Sequence, residues 1–120
     1  MLNLDTHVLI DALQGRLSAS ERSLLVSHSW SVSAIVLWEL TKLVQLKRIT
    51  MDLSSPDFVR TFSRVHVWPL DLKICLQSTA LDFRSDPADE IIAATSVIHR
   101  VPLLTRDRRI LRSKIVPFPS

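Results

Sequence analysis

Met1-Leu2-Asn3-Leu4-Asp5-Thr6 opens the chain, and it is followed by Val8-Leu9-Ile10-Asp11-Ala12-Leu13 and then by Gly15, the only glycine of the sequence. The short apolar stretch that ends at Asp5 predicts a β-strand. Val8 to Leu13 predicts a helix, which ends at Gly15 because glycine enters the left-handed conformation freely. This opening therefore predicts a strand and a helix with an acidic side chain at their junction.

Strands and helices alternate along the rest of the chain. Further strands are predicted at Trp30–Val32, His66–Leu70, Val101–Thr105 and Ile115–Val116. Helices are predicted from Ser18 to Val26, Ser33 to Lys47, Ser55 to Arg64, Asp71 to Phe83 and Asp86 to His99, with a short arginine-rich helix after Thr105. This alternation predicts an α/β fold: one domain over residues 1–120, with a central parallel sheet of about four to five strands between two helical layers. Functional residues of such sheets lie at the carboxyl ends of the strands.

Composition excludes several function classes. The single glycine rules out a glycine-rich phosphate loop and a GxGxxG turn, and the GxSxG motif of serine hydrolases is also missing. No zinc-ligand spacing occurs, because Cys75 is the only cysteine and the histidines are scattered at His7, His28, His66 and His99. No apolar run approaches the ~20 residues that cross a bilayer, and one unpaired cysteine suits a reducing compartment. We therefore expect a cytoplasmic protein without membrane contact.

The chain is basic, and its arginines cluster near the C-terminus. The formal net charge is +3, and eleven arginines accompany four lysines. Guanidinium groups bind phosphate in a bidentate manner, so this bias suggests a polyanionic partner such as nucleic acid. The densest group comprises Arg106, Arg108, Arg109, Arg112 and Lys114. Charge patterning alone explains this group equally well as a solvated helix face.

Glu39 is an acid on an otherwise apolar helix. The residues that share its helix face are Ile35, Val36, Leu43 and Leu46, and the surrounding pattern is typical of a buried element. A buried carboxylate is unfavourable by several kcal/mol unless a cation neutralises it or its pKa rises. An ion pair with an arginine or an exposed helix end would also explain Glu39. We favour a position that faces a metal ion.

Asp5 and Asp107 each follow a predicted strand. Asp5 comes directly after Leu2–Leu4, and Asp107 comes after Val101–Thr105. Taken singly, each is explained more simply as the N-cap of the next helix, since an aspartate there accepts hydrogen bonds from free backbone N–H groups. Taken together, they converge at adjacent strand ends of a doubly wound sheet.

Asp86-Pro87-Ala88-Asp89 carries two acids in one turn. Asp86 suits an N-cap, Pro87 the first helical position, and Asp89 a first-turn position where an acid favours the helix dipole. Helix capping and cation binding explain this pair of acids equally well.

Considered as a group, these acidic residues favour a metal site more strongly than any one of them does alone. The helix that starts at Asp86 and the helix that carries Glu39 can present their acids to the same mouth of the sheet as Asp5 and Asp107. Carboxylates gathered there repel one another unless a cation neutralises them, and Mg²⁺ takes oxygen ligands of this kind. A metal ion so bound activates water for attack on a phosphodiester.

Four short motifs in order resemble the PIN-domain family. They are Leu4-Asp5-Thr6-His7, Ser33 to Leu40 (SAIVLWEL), Asp86 to Ala94 (DPADEIIAA) and Leu104-Thr105-Arg106-Asp107. Each motif is weak alone, but the four together are specific in order and spacing, and the match runs from Met1 to the last predicted strand. More narrowly, the chain is similar to the VapC-type toxins of bacterial toxin–antitoxin pairs.

The resemblance implies a function, partners and site residues. Proteins of this kind are endoribonucleases that use Mg²⁺ or Mn²⁺, often act on tRNA or rRNA, and leave a 5′-phosphate and a 3′-hydroxyl. They usually form homodimers and are silenced by a small antitoxin protein whose C-terminal segment enters the active-site groove. By this resemblance the catalytic and metal-binding quartet is Asp5, Glu39, Asp89 and Asp107, and the residues that support it are Thr6, Asp86 and Thr105.

Two other functions fit the same residues. A non-cleaving PIN-fold module would bind RNA or a protein partner without metal-dependent cutting. A metal phosphohydrolase for small molecules would turn over a simple phosphate ester, and the basic surface would then be incidental. We expect the endoribonuclease in preference to both.

Overall fold

The computed structural model describes all 120 residues, and at its centre lies a four-stranded parallel sheet. The strands are β1 (Leu2–Leu4), β2 (Trp30–Ser33), β3 (His66–Trp68) and β4 (Leu103–Leu104). Their order is β3-β2-β1-β4, and every neighbouring pair is parallel. The predicted α/β fold with a central parallel sheet is confirmed.

Helices flank this sheet. They are α1 (Thr6–Gln14), α2 (Ala19–Ser27), α3 (Ala34–Gln45), α4 (Pro56–Phe62), α5 (Leu72–Ser78), α6 (Pro87–His99) and α7 (Arg108–Leu111). Several begin at the capping residues that the sequence predicts: Ser18 forms a complete capping box with Glu21, and Ser55 and Asp71 each accept a backbone hydrogen bond. α1 ends at Gly15, whose φ of 71° is the predicted left-handed cap. None of the helices combines the length and apolar character needed to cross a membrane.

The strand predicted near Ile115–Val116 is absent. The backbone N–H groups of Ile115 and Val116 donate to the Ser113 hydroxyl, at 3.2 and 3.1 Å, so they cannot join a sheet ladder. The Pro117 carbonyl accepts from the Leu103 N–H at 2.9 Å, but proline has no N–H to donate in return. The C-terminal segment therefore lies beside β4 without forming a strand.

Some predicted helices extend too far. The helix predicted to reach Phe83 ends at Ser78, because the hydroxyls of Ser78 and Thr79 donate to carbonyl oxygens one turn earlier and compete with further helical hydrogen bonds. α3 and α4 end at Gln45 and Phe62, within the ordinary variation of helix ends from the predicted Lys47 and Arg64.

Two predicted strands are also shorter than expected. β3 ends at Trp68 instead of Leu70, because Pro69 has no N–H for the ladder. β4 contains only Leu103 and Leu104 of the predicted Val101–Thr105 stretch, since Pro102 interrupts its first half.

A buried core joins β1 to the helices around it. Leu4, Val8 and Ile92 are completely buried within one apolar cluster. Asn3 is a polar residue in this core, and its Nδ2 donates to the Ile92 carbonyl at 3.2 Å and to the Ser96 hydroxyl at 2.9 Å. These hydrogen bonds fasten β1 to α6, which sets the end of β1 relative to the start of α6.

Candidate active site

Asp5 is held at the carboxyl end of β1 by two hydrogen bonds. Its Oδ1 accepts from the Thr6 backbone N–H at 2.8 Å, and its Oδ2 accepts from the Thr105 hydroxyl at 2.7 Å. The side chain is buried and occupies the N-cap of α1. Asp5 therefore caps a helix and also contacts the residue that follows β4, so the two interpretations of its position are compatible.

Asp107 caps α7 and is linked to Asp5 through Thr105. Its Oδ1 accepts from the N–H groups of Arg109 and Ile110, at 2.8 and 3.2 Å. Its own N–H donates at 3.1 Å to the Thr105 hydroxyl oxygen, and that hydroxyl in turn donates to Asp5. Because β1 and β4 are neighbouring parallel strands, their carboxyl ends bring the two acids to one edge of the sheet.

Glu39 reaches this edge from α3. Its Oε1 accepts from the Thr6 hydroxyl at 2.5 Å, and none of the ion pairs in the structure involves it. The alternative of an arginine partner is therefore wrong. The surrounding helix is less buried than predicted, since Val36 and Leu40 are buried but Trp38 is 56% exposed. Glu39 lies between these two faces and is half-buried.

Asp86 and Asp89 lie at the start of α6. Asp86 occupies the predicted N-cap position, but its side chain makes no capping hydrogen bond. Asp89 is half-buried, and its Oδ2 accepts from the Ser85 hydroxyl at 3.1 Å. Helix capping therefore does not account for the exposed Asp86 carboxylate.

One cavity of about 370 Å³, the acidic cavity, brings these acids together. Its lining residues are Asp5, His7, Val8, Glu39, Asp86, Asp89, Arg106 and Asp107. The whole predicted quartet and Asp86 thus line one space. Thr6 and Thr105 are not among the lining residues, and they donate hydrogen bonds to Glu39 and Asp5.

The crowding of acids alters the titration of Asp89. Burial is the largest cause, and together with the negative charges of Asp5, Glu39 and Asp107 it raises the pKa of the Asp89 carboxyl to about 6. The hydrogen bond from Ser85 opposes this shift. The quartet therefore behaves as one electrostatic unit, in which ionisation of its other members disfavours the charged form of Asp89.

The donor set of the acidic cavity fits a hard divalent cation. Carboxylate oxygens are the ligands that Mg²⁺ and Mn²⁺ prefer, and Glu39, Asp89 and Asp107 each use only one carboxylate oxygen in the hydrogen bonds described above. No three of the acids are arranged to hold an ion directly at the same time. This spacing suits Mg²⁺, which is commonly bound through one or two carboxylates and several waters.

A second cavity, of about 530 Å³, adjoins the acidic cavity, and we call it the arginine groove. Its lining residues are Ser85, Asp86, Asp89, Asp107, Arg108, Arg109 and Arg112. The two cavities share Asp86, Asp89 and Asp107. Cationic side chains therefore lie beside the acids without forming ion pairs with them.

The basic residues that lie close together in the sequence near the C-terminus are divided in the structure. Arg106 forms ion pairs with Asp11 and Glu21, so its charge is neutralised. Lys114 does not line the arginine groove, and its backbone N–H donates to Asp82. These two residues are therefore separated from the three arginines of the groove by their tertiary contacts.

Two residues of the site, Ser85 and His7, were not predicted from the sequence. Ser85 donates its hydroxyl to Asp89, and its N–H donates to Glu90, which orders the turn before α6. A serine directly before the Asp86 cap was a usable signal, since serine hydroxyls commonly bind nearby acceptors at helix starts. His7 lines the acidic cavity, and its one signal in the sequence was its place at the end of the Leu4-Asp5-Thr6-His7 motif.

The chain matches a known protein family over nearly its whole length. The PIN domain family matches residues 3–115. The chain belongs to the PIN-domain family. Ribonuclease VapC22 from Mycobacterium tuberculosis is 32% identical over 123 aligned residues, which cover 97% of this chain and 93% of that protein. This PIN domain is therefore of the VapC type, and the resemblance inferred from the four motifs is confirmed.

Solved structures share the fold of this PIN domain. A toxin–antitoxin complex from Klebsiella pneumoniae has a chain with a TM-score of 0.72 and 21% identity, covering 93% of this chain and 91% of that chain. VapBC2 from Rickettsia felis, bound to a DNA fragment from its promoter, has a chain with a TM-score of 0.74 and 18% identity, and the match covers 99% of this chain and 98% of that chain. FitAcB from Neisseria gonorrhoeae has a chain with a TM-score of 0.70 and 21% identity, and the match covers 99% of this chain and 97% of that chain. These likenesses confirm the PIN fold.

We expect divalent cations to bind the acidic cavity more weakly as the pH falls through about 6. The proton on Asp89 competes with a cation, and the raised pKa places that competition near pH 6 in the metal-free protein. Calorimetric titration with Mn²⁺ from about pH 5 to about pH 8 measures the apparent affinity.

Asp89→Asn is the matched control for this titration. It removes the titrating group, so we expect weak Mn²⁺ binding with little dependence on pH in this range. An affinity of the unaltered protein that stays constant across pH 6 would contradict the role of Asp89.

Proposed function

We propose that this PIN domain is a Mg²⁺- or Mn²⁺-dependent endoribonuclease and the toxin of a toxin–antitoxin pair. The observation that carries the proposal is the acidic cavity, with Asp5, Glu39, Asp89 and Asp107 in its lining, directly beside the arginine groove. Acids concentrate a divalent cation, and arginines attract the phosphates of a nucleic acid. The similarity to a protein named as a ribonuclease supports the same activity here.

The acids of the quartet have distinct tasks in this mechanism. Asp5, Asp89 and Asp107 would hold the cation, one or two of them directly and the rest through its bound waters, and Glu39 adds negative charge to the same cavity. A bound divalent cation supplies Lewis-acid activation of water and neutralises charge on the scissile phosphate. Asp5 accepts from the Thr105 hydroxyl and Glu39 from the Thr6 hydroxyl, so each carboxylate keeps a fixed orientation toward the cavity.

The arginine groove supports RNA as the substrate. Arg108, Arg109 and Arg112 line it, and the Arg109 Nη1 donates to the Arg84 carbonyl at 3.2 Å, which restrains that guanidinium. Acids alone would repel a phosphodiester, so cations beside them are needed to bring the RNA backbone to the cavity. Guanidinium groups bound to neighbouring phosphates would hold one linkage of the backbone next to the acids.

An antitoxin protein is the proposed regulatory partner. Similar solved structures are described as a toxin–antitoxin complex and as VapBC2 bound to promoter DNA, and both descriptions support an antitoxin for this chain. The family resemblance implies that the C-terminal segment of this antitoxin would enter the groove at the active site. We therefore propose that the chain acts in the cytoplasm, where its RNA substrate and this partner would be present.

The chain is proposed to act as a homodimer. On α5, Leu72 and Leu76 lie one helical turn apart and are 73% and 60% exposed, whereas Ile74 is the buried residue of that helix. Leu70, directly before α5, is also exposed. Exposed leucines on one helix face are unfavourable in water, and a second copy of the chain would cover them.

Asp5→Asn is expected to lower metal-dependent RNA cleavage by about 100-fold, because it removes a negative charge from the lining of the acidic cavity. Labelled RNA incubated with Mn²⁺ or with chelator measures cleavage, and circular dichroism checks that the fold is retained. Asp57→Asn, an exposed acid on α4 away from the cavity, is the matched control and is expected to cleave normally.

Each outcome of the cleavage assay discriminates between functions. Full activity of a folded Asp5→Asn protein would remove Asp5 from the mechanism. RNA retention by the unaltered protein without metal-dependent fragments would favour a non-cleaving binding module. Turnover of a simple phosphate ester but not of RNA would favour a small-molecule phosphohydrolase.

Substitution of Arg108 or Arg112 by glutamine is expected to raise KM for RNA with little change in kcat, because these side chains bind phosphate without touching the reacting atoms. Each lost phosphate contact should also reduce the slope of log affinity against log salt by about 0.7 for single-stranded RNA. Arg16→Gln changes an exposed arginine outside both cavities and serves as the control. A salt slope unchanged in both groove variants would argue against this RNA path.

Light scattering after gel filtration is expected to give twice the 13.6 kDa mass of one chain. The double substitution Leu72→Glu and Leu76→Glu should return the mass to that of one chain, because charges on α5 prevent its apolar face from being covered. Val26→Glu changes an exposed valine on α2 and should leave the dimer intact. A monomeric unaltered protein, or a dimer that survives the double substitution, rejects this interface.

A further inference from the structure

We infer that Arg106 is a positioning residue of the active site, which fastens the loop carrying Thr105 and Asp107 to α1 and α2 through its ion pairs with Asp11 and Glu21. This inference rests on the proposed function, since it assigns a task within the same site. Arg106 lies between Thr105 and Asp107 in the sequence, so any movement of its backbone moves both neighbours.

The ion pairs of Arg106 are geometrically well defined. Its Nε donates to Glu21 Oε2 at 2.7 Å and its Nη2 to Glu21 Oε1 at 2.9 Å, which is a bidentate pair, while Nη1 donates to Asp11 Oδ2. The side chains of Asp11 and Glu21 are only 22% and 13% exposed. Two carboxylates outweigh one guanidinium, so this group carries no excess positive charge with which to bind RNA phosphate.

The loop that Arg106 fastens has no regular secondary structure. Residues 105–107 lie between β4 and α7, outside any helix or strand. The Thr105 hydroxyl donates to Asp5 and accepts from the Asp107 N–H, and these contacts hold the inner side of the loop. The Arg106 ion pairs hold its outer side. The position of the Asp107 carboxylate therefore depends on contacts from both sides.

The partners of Arg106 are themselves anchored to the site. Asp11 lies on α1, the helix that Asp5 caps. The loop is therefore bound to the same helix at two points, by the Thr105 hydrogen bond to Asp5 and by the Arg106 ion pair with Asp11. Glu21 completes the capping box of α2, and its Oε1 accepts from the Ser18 N–H at 2.9 Å. The remaining ion pair of the structure, Arg60 with Asp57, joins exposed residues within one helix and has no such role.

Kinetics and metal binding test this inference together. Arg106→Met and Glu21→Gln are each expected to lower kcat and Mn²⁺ affinity by about 10-fold or more, with KM for RNA changed less than about twofold. Glutamine at position 21 can still complete a capping box, so Glu21→Gln isolates the ion pair. Arg106→Lys should retain part of both properties, because an ammonium group pairs as a point charge and not as a bidentate fork. Arg60→Met is the matched control and should behave as the unaltered protein.

A metal-independent measurement separates positioning from general loss of stability. In the metal-free Arg106→Met protein, the Asp107 amide should exchange its hydrogen faster, while buried core amides such as that of Leu4 exchange as before. Thermal unfolding confirms that each variant is folded at the assay temperature.

The outcomes distinguish this inference from the proposed function. No metal-dependent cleavage by the unaltered protein rejects the function, and the Mn²⁺ affinities and amide exchange still test the positioning role. The role of Arg106 is overturned if the unaltered protein is active and both variants, Arg106→Met and Glu21→Gln, behave like it. This means that kcat, Mn²⁺ affinity and Asp107 amide exchange are all unchanged. A raised KM in Arg106→Met with a lowered KM in Glu21→Gln would instead mean that the guanidinium binds RNA.

Discussion

Repulsion among the carboxylates of the acidic cavity is the constraint that the surrounding structure must oppose. Hydrogen-bond donors from separate elements hold these acids in place: the Thr6 N–H and the Thr105 hydroxyl bind Asp5, the Thr6 hydroxyl binds Glu39, and the first-turn N–H groups of α7 bind Asp107. Asp89 receives only the Ser85 hydroxyl, and burial together with the neighbouring negative charges raises the pKa of its carboxyl. The remaining imbalance of charge is what a divalent cation would remove.

The arginines are arranged so that they do not cancel this negative charge. Arg106 directly precedes Asp107 in the sequence, but its guanidinium forms ion pairs with Asp11 and Glu21 instead. The arginines of the groove lie beside the acidic cavity and form no ion pair with its acids. An ion pair with any member of the quartet would weaken the attraction for a metal ion. Separation of the two charges therefore suits a site that must take both a cation and a polyanion.

The elements predicted correctly depend on contacts between near neighbours in the chain. The capping box of Ser18 and Glu21, the left-handed Gly15 and the serine cap before Pro56 are all decided within one helical turn, so they are visible in the sequence. The missing strand at Ile115–Val116 depends on whether two N–H groups bind a serine hydroxyl or a neighbouring strand. The apolar pattern is the same in both cases, and it could not predict the outcome.

The sequence by itself determined the order of strands and helices, the membership of the PIN-domain family and the set of acids worth considering. Only the tertiary structure decided which partner each charged group takes. Arg106 pairs with residues 85 and 95 positions away, and Glu39 binds a threonine hydroxyl and no arginine. The physical reason is that electrostatic energy depends on distance and burial in three dimensions, and separation along the chain measures neither.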